Sequence, residues 1–219
     1  MSQNTCAAVA AMVCVGLLAL SSAAYPAEEW PESKKKECIA KFQINPTGTD
    51  NTGWTPPTAG SCRVQEKNGH FFPDPTCTPG ALNPTVNADI LANPEFSTEC
   101  VRNMGTSEDA KKVIFGWYGL HEDSTCEMDH FVSLEIGGSD MLMNLWPECG
   151  PPGSTGMARD FKQKDSVELF LGEQVKLGEA KGGMSQAKAR ELVTKDWTAL
   201  IPDAAKAETH TKGSPKEKK

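Results

Sequence analysis

Six cysteines follow residue 25, and they constrain the fold more than any other feature of the sequence. They are Cys38, Cys62, Cys77, Cys100, Cys126 and Cys149. An even number of cysteines in an exported chain predicts disulfides, here three, although six cysteines allow about 15 pairings and the sequence selects none of them. None of the six has the C-x-x-C spacing, which argues against a thioredoxin-like or zinc-ribbon site.

An apolar run near the N-terminus predicts export. Residues 7–20 are mostly Ala, Val, Met and Leu, and the small residues 21–24 follow them. The run is too short to cross a bilayer as a helix and ends as a secretory signal does. We therefore expect a signal peptide over residues 1–24, a secreted or periplasmic mature protein, and no membrane segment after cleavage. A buried N-terminal helix or a retained anchor is the alternative.

Turn-forming residues dominate the first half of the mature chain. Residues 25–60 are rich in Pro, Thr, Gly and Asn and are predicted to be irregular. Asn68-Gly69, within residues 61–72, is typical of a hairpin turn. A helix is expected over residues 106–119, because its apolar residues recur at helical spacing and Gly119 can end it.

Helices are expected again in the second half, over residues 158–177 and 185–200, with Pro202 ending the last one. The Lys-rich residues 203–219 are predicted to be a disordered tail. The expected domain therefore spans residues 61–202, and we expect it to be a monomer.

The net charge of −7 limits the possible partners. Proteins that coat nucleic acid without specificity bind its phosphates through Lys and Arg, which this chain does not have in excess. An enzyme that holds one phosphate through a metal ion remains compatible with an acidic chain.

Residues suited to catalysis lie between positions 129 and 146. Asp129-His130 is followed by strand-forming residues, by Gly137-Gly138 as the predicted turn, and by Asn144 on the returning strand. A histidine can activate water near neutral pH, a carboxylate can hold a cation, and an amide can orient the imidazole. Adjacent residues on a regular strand point to opposite faces, so Asp129 and His130 need a distortion or a strand end to act together.

This segment resembles the HNH endonuclease superfamily with its ββα-metal fold. More narrowly, the chain is similar to a group of small exported bacterial proteins of that superfamily, from about Ser61 to Leu200. The shared stretches are Asp74 to Pro84, Cys100 to Arg102, the DH-x4-E-x-GG stretch from Asp129, Asn144 to Glu148, and Lys164, Asp165 and Glu168. The resemblance implies an α+β fold with a hairpin-helix core, flanking helices and a loop-rich, disulfide-bonded N-terminal half.

The resemblance also implies roles for individual residues. Asp129 would bind a divalent metal ion, most readily Mg²⁺, His130 would be the general base, and Asn144 would orient it. The substrate would be nucleic acid, with DNA favoured over RNA. The helix histidine that usually completes the metal site is absent, so Asp160, or otherwise Asp165, is the candidate ligand from the helix. Lys164 is expected to contact a phosphate.

Two other interpretations stay open. A secreted binding or structural module could keep the scaffold of the superfamily without catalysis, and the missing helix histidine and the acidic charge favour it. A hydrolase acting on another kind of phosphodiester is the third possibility, because a fold does not fix a substrate.

Overall fold

The computed structural model describes residues 29–106, 109–121, 126–150 and 160–213, and for residues 160, 161 and 209–213 it describes the backbone alone. The expected signal peptide, residues 1–24, and the end of the expected tail, residues 214–219, lie outside the described residues. The described chain is mixed α+β, as the sequence predicts.

The described chain contains short strands and helices of four to 18 residues. The strands are β1 (Gln65–Lys67), β2 (His70–Phe72), β3 (Cys126–His130) and β4 (Leu145–Cys149). They pair as two separate antiparallel hairpins, β1 with β2 and β3 with β4. The helices are α1 (Glu32–Phe42), α2 (Ala88–Leu91), α3 (Ala110–Trp117), α4 (Asp160–Leu177), α5 (Gln186–Asp196) and α6 (Ile201–Gly213).

The first hairpin turns at Asn68-Gly69, as predicted. Both residues have positive φ, 55° and 79°, which is the conformation of a two-residue type I′ turn. The register pairs Lys67 with His70 and Gln65 with Phe72. The turn dipeptide therefore sets the pairing of these two strands.

The second hairpin is regular from its open end to His130. Cys126 pairs with Cys149, Asp129 with Trp146, and His130 with Leu145. Side chains alternate between the two faces of a strand, so Asp129 and His130 point to opposite faces. The distortion that would bring these two side chains together is absent from this described hairpin.

The connection between β3 and β4 differs from the expected tight turn. It spans residues 131–144 and contains two 3₁₀ helices, Leu134–Ile136 and Leu142–Asn144. Gly137 has a φ of 84° and ends the first of them. A Cβ atom on Gly138 would lie 1.9 Å from the carbonyl oxygen of Val132, so the chain can approach itself this closely only at a glycine. The prediction of strand at residues 131–134 was wrong.

Helix α4 packs against the second hairpin and forms much of the core. Its residues Val167, Leu171 and Val175 recur at helical spacing and are all buried. Helix α4 contacts β4 and the 3₁₀ helix that follows β3. Trp146 on β4 and Trp197 after α5 are fully buried in the same core. The apolar stripe predicted for this helix is confirmed.

The predicted helices before and after α4 are confirmed with shorter limits. Helix α3 starts at Ala110, and Gly119, with a φ of 66°, lies just after its end. Helix α5 begins after Ser185, whose side chain accepts a hydrogen bond from the backbone N–H of Lys188. A 3₁₀ turn, Trp197–Leu200, takes the place of the last predicted helical turn.

Two segments predicted to lack regular structure contain helices. Within residues 25–60, α1 covers Glu32–Phe42 and ends at Gln43, which has a φ of 53°. Helix α6 runs through Pro202, which was expected to end a helix, and it continues into the expected tail. A proline is compatible with the first turn of a helix because the backbone N–H groups there need no partner within the helix.

The six expected cysteines form three disulfides. Cys38 is bonded to Cys100, Cys62 to Cys77, and Cys126 to Cys149. The first joins α1 to the segment before α3, the second spans the first hairpin, and the third closes the open end of the second hairpin. Within the described ranges, none of the helices is both long and apolar enough to span a membrane.

The disulfide between Cys126 and Cys149 should stabilise the hairpin that carries His130. Replacing both cysteines with alanine should lower the free energy of unfolding by about 2–4 kcal/mol, because the unfolded chain gains freedom. Urea denaturation followed by tryptophan fluorescence measures this change, and the Cys62→Ala/Cys77→Ala variant is the comparison for a link outside that hairpin. Six reactive thiols in the native protein without residues 1–24 would contradict the disulfide assignment.

Candidate functional site

His130 is the last residue of β3, and its side chain is only 9% exposed. Its Nε2 atom lies 3.0 Å from Oδ1 of Asp140. The other carboxylate oxygen of Asp140 accepts a hydrogen bond of 2.9 Å from the backbone N–H of Gly105. A carboxylate partner favours the tautomer with the proton on Nε2, which leaves Nδ1 as the basic nitrogen. The Asp140 carboxylate therefore orients the His130 imidazole.

Asn144 does not have the role that the resemblance implies. Its Oδ1 accepts hydrogen bonds from the backbone N–H groups of Ala81 and Val132. Its Nδ2 donates to the carbonyl oxygens of Val132 and Ser139. All four bonds go to backbone groups, and the residue that contacts the imidazole is Asp140. Asn144 therefore holds the connection between β3 and β4 in shape.

Asp129 lies on the opposite face of the hairpin and contacts Lys164 of α4. Its Oδ2 accepts a hydrogen bond of 2.5 Å from Nζ of Lys164. The same ammonium donates to the backbone carbonyl of His130 at 2.8 Å and to Glu168, one helical turn further along α4. Glu148 of β4 is also near, with its Oε2 3.5 Å from Nζ. We call Asp129, Glu148, Lys164 and Glu168 the ionic cluster.

The local structure explains why these four side chains meet. Glu148 pairs with Glu127 across the hairpin, and Asp129 lies two residues from Glu127, so all three point to the face that α4 covers. Lys164 and Glu168 are four residues apart and lie on one side of the helix. The side chain of Lys164 is completely buried, and so is that of Glu148.

Burial and mutual charge shift the pKa values of the cluster in different directions. Burial alone would lower the pKa of Lys164, but Asp129, Glu168 and Glu148 raise it well above its usual value. Burial would raise the pKa of Asp129, yet the Lys164 ammonium holds it well below its ordinary range. Lys164 and Asp129 therefore form a charged pair at neutral pH.

The two glutamates of the cluster have raised pKa values. Burial raises the pKa of Glu148 well above its usual value, and the Asp129 and Glu168 carboxylates add to the effect against the opposing charge of Lys164. Burial likewise raises the pKa of Glu168 to about 7. One ammonium accordingly stabilises fewer than three carboxylate charges at neutral pH.

The described residues do not fit the metal centre that the resemblance implies. The Asp129 carboxylate, which would bind the ion, is paired with the Lys164 ammonium. The Asp165 carboxylate is 45% exposed and lies 3.2 Å from Nζ of Lys162, and the side chain of Asp160 is outside the description. The described part of the chain holds no group of three or more His, Cys, Asp or Glu residues placed to bind a metal ion.

The role expected for Lys164 also changes. Its ammonium is completely buried and surrounded by protein oxygens, so in this conformation it does not reach a phosphate. The helical spacing of α4 correctly put Lys164 on the inward face.

Three further residues belong to this region and were given no role from the sequence. Asp140 follows the glycines of the connection, and nothing in the local pattern indicates that it returns to His130. Glu148 and Glu168 do lie in the motifs that carry the resemblance. The four-residue spacing of Lys164 and Glu168 on a predicted helix could have indicated an ion pair.

Asn144→Ala should destabilise the protein rather than alter catalysis alone. The change leaves four buried hydrogen bonds unmade, and we expect the free energy of unfolding to fall by about 3–5 kcal/mol. Chemical denaturation measures this loss. Asn93→Ala, which removes a single bond to the backbone of Glu95, is the control and should cost about 1 kcal/mol. Equal stabilities of the two variants would contradict the role assigned to Asn144.

Glu168 should make the stability fall as the pH rises from about 4.5 to about 7. The pKa of Glu168 is about 7 in the folded chain against an ordinary value of 4.5. Between these values the folded chain keeps a proton that the unfolded chain has lost, so the free energy of unfolding decreases with pH, by at most about 3 kcal/mol. Glu168→Gln does not titrate and should flatten this slope. Denaturation of both proteins at several pH values tests this, and equal slopes would refute it.

Comparison with known proteins adds no family to this description. No protein-family model, no curated protein and no solved structure matches the chain. The resemblance to the HNH superfamily therefore stays a prediction from the motifs quoted above. Over the ranges that the structure describes, the chain is mixed α+β, with two hairpins and three disulfides.

Proposed function

We propose that this protein is an exported endonuclease that hydrolyses phosphodiester bonds of DNA or RNA, with His130 as the general base. The observation that supports the proposal is the contact of 3.0 Å between Nε2 of His130 and Oδ1 of Asp140. A histidine held by a buried carboxylate is the arrangement that hydrolases use to activate a nucleophile. The substrate class rests on the motifs that resemble the HNH superfamily.

In this proposal His130 takes a proton from the attacking water. Asp140 accepts the hydrogen bond from Nε2 and favours the imidazole tautomer whose Nδ1 can receive that proton. Gly105 positions Asp140 through its backbone N–H. A Cβ atom on Gly105 would lie 3.0 Å from the backbone oxygen of Asp140, so the absence of a side chain helps this approach.

The proposal assigns no step to a metal ion. The Asp129 carboxylate, which the resemblance assigns to Mg²⁺, is paired with Lys164 on the other face of the hairpin. Asp129 also points away from the imidazole, because adjacent residues of a strand alternate between its faces. The base and the charged pair therefore have separate roles in our proposal.

Export is part of the proposal as well. Three disulfides are typical of proteins that fold in an oxidising compartment, and the apolar residues 7–20 fit a secretory signal. We propose that the mature chain acts as a monomer in the periplasm or outside the cell.

A secreted module without catalytic activity is the second candidate. The observation that favours it is the ionic cluster, in which the fully buried Lys164 side chain joins α4 to both strands of the hairpin. The small exposure of His130 points the same way, since a general base must reach its water. A measurement of nuclease activity separates the two candidates.

His130→Ala should reduce phosphodiester cleavage about 100- to 10,000-fold, the usual contribution of a general base. Asp140→Asn should reduce it too, because it disturbs the tautomer of His130. Nicking of plasmid DNA by the protein without residues 1–24, with and without EDTA, measures the activity. His121→Ala is the matched control, because His121 is exposed, and it should keep full activity. Absence of cleavage by the unaltered protein on DNA and RNA would leave the module as the function.

A further inference from the structure

The Nζ atom of Lys164 is surrounded by oxygen atoms from three different elements. Asp129 of β3 lies at 2.5 Å, the carbonyl oxygen of His130 at 2.8 Å and Oε2 of Glu148 at 3.5 Å, and Glu168 of α4 completes the set. Carboxylate and carbonyl oxygens are the ligands that hard cations such as Ca²⁺ and Mg²⁺ prefer. The ionic cluster thus has the ligand chemistry of a cation site, and a protein ammonium fills it.

Glu148 is the second observation that points to a cation. Its side chain is completely buried, and neither of its carboxylate oxygens has a hydrogen-bond partner. Its nearest positive charge is the Lys164 ammonium at ion-pair distance. A buried carboxyl group without hydrogen bonds is costly. The Glu148 carboxyl group could therefore bind a cation at the position that the ammonium occupies.

We infer that the Lys164 ammonium takes the place of a metal ion among these oxygen atoms, and that removal of the lysine side chain opens a site for a divalent cation. The unaltered protein then binds no divalent ion at Asp129, Glu148 and Glu168. This inference concerns binding alone, so it stands or falls independently of the proposed nuclease activity.

The charges of the cluster support the inference. Three carboxyl groups face one ammonium, and without Lys164 they would lose the positive partner that they share. Removing one member of a buried ion pair is strongly destabilising because the remaining charge is uncompensated. A divalent ion would supply that charge, and the space left by the long lysine side chain would admit the water molecules that Mg²⁺ keeps when it binds.

The inference predicts opposite behaviour for two substitutions of the same residue. Lys164→Ala removes both the charge and the bulk, so this variant should bind a divalent ion and be stabilised by it. Lys164→Met removes the charge and keeps most of the bulk, so it should bind the ion far more weakly. Adding Glu148→Gln to Lys164→Ala removes one ligand and should weaken binding at least tenfold.

Terbium luminescence is a suitable measurement, because Tb³⁺ binds at oxygen sites and is excited by a nearby tryptophan. Trp146 pairs with Asp129 across the hairpin and is the expected donor. We expect saturable emission from Lys164→Ala, competed by Mg²⁺ or Ca²⁺, and affinity at least tenfold lower in the unaltered protein. A rise of the melting temperature of Lys164→Ala with Mg²⁺, reversed by EDTA, gives a second readout.

Two results would overturn the inference. One is binding by the unaltered protein as tight as by Lys164→Ala, and lost in Asp129→Asn. The other is a folded Lys164→Ala protein that binds no ion. If this variant does not fold with or without Mg²⁺, ¹⁵N-lysine NMR of the unaltered protein decides. A Lys164 ammonium signal protected from water exchange supports the inference, and a freely exchanging one refutes it.

Discussion

The burial of the Lys164 ammonium is the interaction on which the centre of the molecule depends. A lysine rarely gives up all contact with water, because its charge loses hydration that only close anionic partners can replace. Here those partners come from β3, β4 and α4, so the ammonium joins a helix to both strands of a hairpin. Val167 and Leu171 of the same helix are buried as well. The orientation of α4 on the hairpin is fixed by charge as well as by packing.

Much of the fold follows from local sequence. Asn68-Gly69 has the positive φ angles that its residue types predict, and the apolar spacing of α4 identifies its buried face. Helix α6 was missed because Pro202 suggests a helix end, whereas proline is equally compatible with a first turn. Helix α1 was missed because its apolar stripe is short, with Cys38, Ile39 and Phe42 in a segment otherwise rich in charged residues. Its attachment also depends on the link between Cys38 and Cys100, whose pairing the sequence does not specify.

The contacts of the candidate site follow less directly from the sequence than the helices and the first hairpin do. The motif contains His130, but the connection between β3 and β4 brings Asp140, and not Asn144, to its ring. The alternation of β3 separates Asp129 from His130, so neighbours in sequence have unrelated surroundings in space. The presence of a lysine on a predicted helix does not indicate whether its ammonium contacts a phosphate or a carboxylate. The packing of α4 on the hairpin face that carries Asp129 and Glu148 decides that for Lys164.

The side chain of Asn144 imitates a peptide unit where strand pairing stops. Its oxygen accepts two hydrogen bonds and its nitrogen donates two, all with backbone groups. These bonds take the place of the strand-to-strand hydrogen bonds that end with β3 and β4. Asn144 shares this task with Ser133, whose hydroxyl accepts a hydrogen bond from the backbone N–H of Glu135, and with Gly138, where a Cβ atom would meet the carbonyl oxygen of Val132. Most residues of this stretch are buried, so an irregular connection held by one carboxamide and two glycines should tolerate few substitutions.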